Sequence, residues 1–486
     1  MKYLLISFFF LILTPLFGQI EEPLRIELAA EKDNHDYNYK LCEELGVVVY
    51  YKSNLKNKDT ANWVLLHYDT NLTLIHNREF ELPIEAEPNS AYYTNHNTYI
   101  IFQQKNKKNK VPHWFLATYN NDSSSVYIEQ LPLTLYDLNY IKVYDQYLYC
   151  VSNEEKSIGT QIVHLPTKKI KDLYLEDSYI EQYTFLEIDT ISKKLFVGVL
   201  KYPKQETTQS DLSLIESDLS FTNYSIIDYP KTKNYWFTSA RGIISDTGRV
   251  LLLGTYSSST ENKIINYHCG VYATSYSKGN IEKIKYYNYT QLKSANAQNT
   301  TLETKNNSYE LLLGRTFHNK DQFSLITEVF YKEYTYTSSY SNTFGYYHFT
   351  PTTVFAGYRF TNSYITTFDK DGNLLWDNYF PFQNVLTNVL YSKTKIYLDK
   401  DNYGYIYYNY GNNIYSTMVQ NYNIIEPIST NKIITKYPTD RVEYTQNLQI
   451  EHWYNSSFII CGYQYIQNGG RKKKRFVFSM SKLVYE

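Results

Sequence analysis

The chain has 486 residues, with 48 Lys+Arg against 49 Asp+Glu, so no global charge drives it towards nucleic acid or acidic lipid. Aromatic residues make up 17% of it and 55 residues are Tyr. That composition suits strands, where the ring packs on the sheet and the hydroxyl reaches water. AT-rich codons would account for much of the Tyr, Asn and Lys together, so the excess assigns no function.

In chain order, Met1-Lys2-Tyr3 leads into an apolar run from Leu4 to Phe17, followed by Gly18-Gln19 and an acidic, polar start. One positive charge, a short apolar core and small residues at the exit read as a secretory signal peptide over 1–18. No later segment approaches the roughly 20 apolar residues of a membrane span. The mature chain, 19–486, is therefore expected to be exported, to the periplasm, the cell surface or outside the cell, with no membrane span. Cys42, Cys150, Cys269 and Cys461 lie far apart, and export permits disulfides without choosing among their pairings. Cys150 and Cys461 stand inside apolar runs, where a buried thiol is the ordinary outcome.

Short apolar runs then recur, beginning at Val47, Tyr99, Tyr147, Leu195, Val250, Leu311, Tyr405 and Phe458. The intervals are 52, 48, 48, 55, 61, 94 and 53 residues. Each run is followed by a second, alternating run that ends in a turn, from VLLHYDTN at Val64 to FVFSMSK at Phe476. The clearest copy is YITTFDKDGNLLWDNYF at 364–380, two alternating strands about an Asp-Lys-Asp-Gly-Asn turn. Strand, turn, apolar strand, loop, third strand, turn and polar outer strand describe a propeller blade, which must stack on its neighbours to bury both faces. The expected fold is all-β, a β-propeller of about eight four-stranded blades (seven if one terminal copy is spurious). Leu24–Leu28 is expected to supply the last blade's missing strand and so close the ring. The domain is a single propeller with an insertion in the sixth unit, at about 332–362.

The segment YLDKDNYGYIYYNYG, 397–411, resembles the bacterial β-propeller repeat built on Asp, two residues, Gly-Asn and an aromatic-aliphatic run ending in Gly. SDTGRVLLLGTYS, 245–257, resembles it in part. The resemblance implies architecture only, because propellers host unrelated chemistries.

Sequence motifs of known chemistry are sparse. TFDKDGNLLW departs from the Asp-box spacing of sialidase-type propellers at Gly372 and Trp376, and Asp369, Asp371 and Gly372 read as a turn. Asp399-x-Asp401 lacks the ligands an EF-hand-like loop needs, since Tyr403 and Tyr410 occupy positions 5 and 12. His67, His113, His164 and His268 are scattered singly, and no GxSxG, HExxH, P-loop or Rossmann glycine set occurs. No metal and no cofactor is expected.

Two features point to binding. The loops between strands two and three of units one, two and eight carry Lys52, Lys56, Lys58, Lys105, Lys107, Lys108, Lys110, Arg471, Lys472, Lys473, Lys474 and Arg475. In a closed ring these units are neighbours, so the loops form a basic rim for an anionic ligand unless Glu31, Glu85 and Glu87 neutralise it. The insertion alternates Tyr, Thr and Phe, and Tyr334, Tyr336, Tyr340, Tyr346, Tyr347 and Phe349 would present aromatic surface to a sugar or a protein. The expected function is an exported binding or scaffolding module for a polysaccharide or protein partner. The alternative is a propeller enzyme acting on glycans, with carboxylates near the central channel around Tyr140–Tyr144, Ile188–Thr190 and Lys395–Asp399.

Overall fold

The computed structural model describes residues 24–485 except 32–36, 106–111, 154–158, 174–178, 205–208, 231–233, 261–262, 278, 293–308, 344–345 and 470–473. The expected signal peptide lies outside these. The described chain forms eight antiparallel sheets, seven of four strands and one of five. Each sheet is a blade, and in blades 1 to 7 its strands follow one another in sequence. The first strands are Asn38–Leu41, Ala86–Thr94, Tyr140–Tyr144, Tyr179–Asp189, Tyr235–Ile244, Glu310–Asn319, Lys395–Leu398 and Arg441–Tyr454. They are innermost, and neighbouring blades meet largely along them.

The periodic apolar runs follow from this arrangement. A blade's second strand is covered on both faces, so its side chains are apolar at successive positions rather than at alternate ones. Val47 and Val49 pack with Ile459 and Cys461 of blade 8, while Val48 and Tyr50 pack with Ile100 and Phe102 of blade 2. Each neighbouring pair of blades shares one such cluster. That of blades 4 and 5 is centred on Leu200, Leu214, Val250 and Leu252, and that of blades 7 and 8 on Tyr407, Ile414, Ile450 and Phe458. The outer strands face water on one side and read as polar; Asn423–Lys432 is exposed almost throughout.

Glycine admits the closest of these contacts. Phe185, on the first strand of blade 4, lies between Gly198 and Gly242, where an added Cβ would approach its ring to 2.0 and 2.3 Å. No larger residue fits at either position without moving the ring.

The ring closes as expected. Arg25–Ala29 runs antiparallel to Lys474–Val484 in blade 8, with Arg25 opposite Ser481 and Ala29 opposite Val477. The blade's remaining strands come from the other end of the chain, so residues 25–29 join the two ends. Glu27 holds the junction: its carboxylate accepts from Arg25 Nε at 2.9 Å and from Arg475 Nη2 at 2.9 Å. Arg475 also donates to Asp440 at 2.6 Å.

Repeated turns share one chemistry. The Asp69, Asp369 and Asp399 carboxylates each accept the N–H groups two and four residues ahead, at 2.8–2.9 Å. The residue three ahead, Leu72, Gly372 or Asn402, takes a left-handed conformation. These carboxylates cap their own turns through one oxygen each.

Unit six needs one correction. The Leu311 run lies on the first strand of blade 6, not the second, which is Gln322–Thr343. The second and third strands, Gln322–Thr343 and Tyr346–Asp369, outrun their neighbours and pair with each other from Gln322↔Asp369 to Thr343↔Tyr346. The extra length is thus continuous strand. Its base belongs to the blade: Phe360 is buried against Phe330 and Phe382, and Arg359 pairs with Glu333 at 2.6 Å.

Candidate functional site

The innermost strands bring charged side chains to the channel from several blades. Lys142 of blade 3 pairs with Glu187 of blade 4 at 2.5 Å, and Lys395 of blade 7 with Glu451 of blade 8 at 2.9 Å. Arg241 of blade 5 reaches past blade 4 to the Tyr140 hydroxyl at 3.0 Å, and also donates to the Thr184 carbonyl at 2.7 Å. Lys40 of blade 1 and Arg315 of blade 6 complete the set. Arg315 stands where the register slips between Leu313 and Thr316, a bulge that re-aims its side chain.

A cavity of about 900 Å3 opens at this end of the channel. Blades 8, 1 and 2 form most of its wall, with Lys40, Tyr93, Glu451 and His452 among the lining residues, and Arg315 enters from blade 6. Its mouth is edged by first-to-second-strand turns: Glu43 and Glu44, His96 and Asn455. The blade 6 ribbon, a second-to-third-strand hairpin, springs from the opposite rim.

The inner carboxylates and His452 are committed to partners, while Glu43 and Glu44 are exposed at the mouth. Glu451 and Glu187 each hold a lysine. His452 stacks on Tyr397 with ring centres 5.1 Å apart, and its Nε2 bonds to the Asn455 carbonyl at 2.7 Å, so that nitrogen carries a proton. Burial holds His452 below the usual histidine range. Burial also lowers the Lys40 ammonium, and Arg315 lowers it further against the opposing pull of Glu451 and Glu43. Among the described residues no group of three or more His, Cys, Asp or Glu is placed to hold a metal. No helix of the described residues is long and apolar enough to cross a membrane.

The described residues among those expected from sequence sit on the other rim. Tyr336 is 84% exposed and Tyr334 52% exposed, on the part of the ribbon beyond the blade. Tyr340, Tyr346, Tyr347 and Phe349 lie on the same two strands, Tyr340 opposite Phe349, and their side chains are outside the described residues. Lys107, Lys108, Lys472 and Lys473 also lie outside them, while Lys105 is exposed at a strand end. Much of what is described of the basic rim is neutralised. Lys52 pairs with Glu87 at 2.8 Å, Lys474 with Glu443 at 2.9 Å, and Arg475 with Glu27 and Asp440. Lys40, Arg241 and Arg315 were not singled out by sequence. The available signal was a charged residue recurring a few positions before the first turn of a unit, as at Lys40, Lys142, Glu187, Lys395 and Glu451.

Comparison with known proteins adds little. No family model matches the chain, and no curated protein does either. Among solved structures, the β-propeller domain of the Trilobed protease from Pyrococcus furiosus is similar at 9% identity and a TM-score of 0.35, over 82% of this chain and 95% of that one. The polysaccharide lyase Uly1 is similar at 9% identity and 0.41, over 95% and 99%. An arabinofuranosidase of Fusarium graminearum is similar at 7% identity and 0.32, over 82% and 92%. Scores this low carry no argument about what this chain does.

Proposed function

We propose that the protein is an exported binding or scaffolding module for a protein or polysaccharide partner, engaged along the blade 6 ribbon. One observation carries this reading: the ribbon continues past the blade with Tyr336 84% exposed and, among the described residues, both edges unpaired. The first strand of the blade pairs with the ribbon only as far as Phe330, and the fourth only as far as Tyr358. Beyond those points the two strands pair only with each other among the described residues, over a length of about 40 Å at 3.4 Å per residue. Open edges accept an extended segment by strand addition, and Tyr334, Val354 and Phe355 supply exposed apolar surface beside them. Backbone edges of this kind favour a protein over a glycan. Export rests on the signal-like segment at 1–18.

The test places a photo-cross-linking amino acid at 336 in intact producing cells, with Ile424, exposed on the outer strand of blade 7, as the control position. The expected result is one discrete adduct at 336 and none at 424, from protein recovered outside the cytoplasm. A glycan adduct would select the polysaccharide reading. Equal labelling at both positions, or none at 336, would refute binding through the ribbon; recovery from the cytoplasm would refute export.

A further inference from the structure

We infer that the channel cavity is a binding site for a compact oxyanion, a small carboxylate or phosphate compound held between Arg315 and Lys40. Of the channel cations, Lys142 and Lys395 have carboxylate partners. Among the described residues Arg241 has only the neutral oxygens of Tyr140 and Thr184. Among the described residues no carboxylate lies within ion-pair distance of Lys40 or Arg315; Glu451 and Glu43 act on Lys40 only from further away, and Arg315 opposes them. The Lys40 ammonium lies by the Tyr92 ring, 5.9 Å from its centre. Like charges in a partly dehydrated cavity repel, and a bound anion would offset that cost.

Geometry adds the rest. The two residues come from blades 1 and 6, so a ligand touching both must sit within the channel rather than on one blade. The cavity of about 900 Å3 falls in the range of small-molecule sites. A guanidinium offers a planar fork of donors that matches a carboxylate or phosphate edge, and the ammonium adds a point charge. Glu43 and Glu44 edge the mouth and are exposed, so an extended polyanion would meet like charge on entry. That favours a compact ligand. The site lies on the rim opposite the ribbon and is independent of the function proposed above.

The experiment is calorimetric titration of the full mature chain with inorganic phosphate, citrate and acetate, beside thermal unfolding with the same probes. Saturable binding of phosphate or citrate is expected, with a matching rise in melting temperature. Which of the two binds more tightly separates the phosphate from the carboxylate source. Arg315→Gln and Lys40→Met should each bind at least about tenfold more weakly, the loss of one charge-assisted contact. Arg315→Lys should recover part of the affinity. Arg315 is exposed and Met fills the space of Lys40, so both variants should fold, as circular dichroism would confirm. Tyr336→Ala should bind the anion like the parent. The inference is overturned if none of the three probes binds saturably at millimolar concentration, or if Arg315→Gln and Lys40→Met bind like the parent. It is also overturned if Lys474→Ala, on the ribbon rim, abolishes binding instead.

Discussion

Replacing Glu27 by Ala tests whether the two ends of the chain hold the ring shut. Its carboxylate accepts from Arg25 Nε at 2.9 Å and from Arg475 at 2.9 and 3.2 Å, and its side chain is 7% exposed. Removing one partner of a buried ion pair costs about 3–5 kcal/mol. Arg25 would keep Gln464 and the Ser481 hydroxyl, and Arg475 would keep Asp440, so the lower figure, about 3 kcal/mol, is expected. If the loss is local to blade 8, it should appear as amide exchange along Lys474–Val484 about 100-fold faster, since each 1.4 kcal/mol is tenfold. Native-state hydrogen exchange read by mass spectrometry resolves that strand from blades 3 and 4, which should stay protected. Glu443→Ala, which breaks a surface pair of the same blade, should leave exchange unchanged. Unaltered exchange over Lys474–Val484 in Glu27→Ala would show that residues 25–29 do not carry the closure.

Packing between blades 4 and 5 makes a second prediction. Gly242→Ala should cost about 1–3 kcal/mol in denaturant unfolding by pressing a methyl group on Phe185, and Phe185→Leu in the same chain should recover part of it. Strictly additive effects would mean that the ring is not the obstacle. Lys393 makes a third. It is 5% exposed, and burial pulls its ammonium down to about 7, with Glu328 opposing and Lys395 reinforcing. Between pH 7 and the ordinary lysine range the unfolded chain holds a proton that the folded chain has released, so stability rises with pH there; below 7 both hold it and the slope vanishes. The rise is at most about 1.4 kcal/mol per pH unit. Melting temperatures from pH 7 to 9 should therefore climb more steeply in the parent than in Lys393→Met, and parallel curves would contradict the assignment.

How far the sequence could be read depended on whether a feature was local. The Asp369–Asn373 turn announces itself, because an Asp carboxylate capping two amides and a Gly with positive φ are properties of five consecutive residues. Runs such as VVVYY and FIICG signal a strand covered on both faces wherever they fall, which made the blade count accessible. Blade 6 misled for the same reason. Leu311-Leu312-Leu313 imitates such a run on a first strand, while the true second strand, buried throughout from Phe323 to Phe330, is interrupted by the buried polar residues Ser324, Thr327 and Glu328. The basic rim was legible as composition, and Glu87 was among the residues expected to neutralise it, but Glu27, Asp440 and Glu443 come from segments the sequence did not link to its cations.

Channel residues pose the harder case. Lys40, Arg241 and Arg315 each stand alone in their stretch of chain, and a single cation beside a turn ordinarily points to water. What sets them apart is the partner that fails to arrive: Lys142 and Lys395 look the same in sequence, yet each meets a glutamate from the next blade. That difference arises only when the ring closes and brings strands hundreds of residues apart around one axis. A propeller channel therefore concentrates at its centre the positions least readable one unit at a time, and a cation there with no ion-pair partner among the described residues is stronger evidence for a ligand than a lysine-rich loop on the rim.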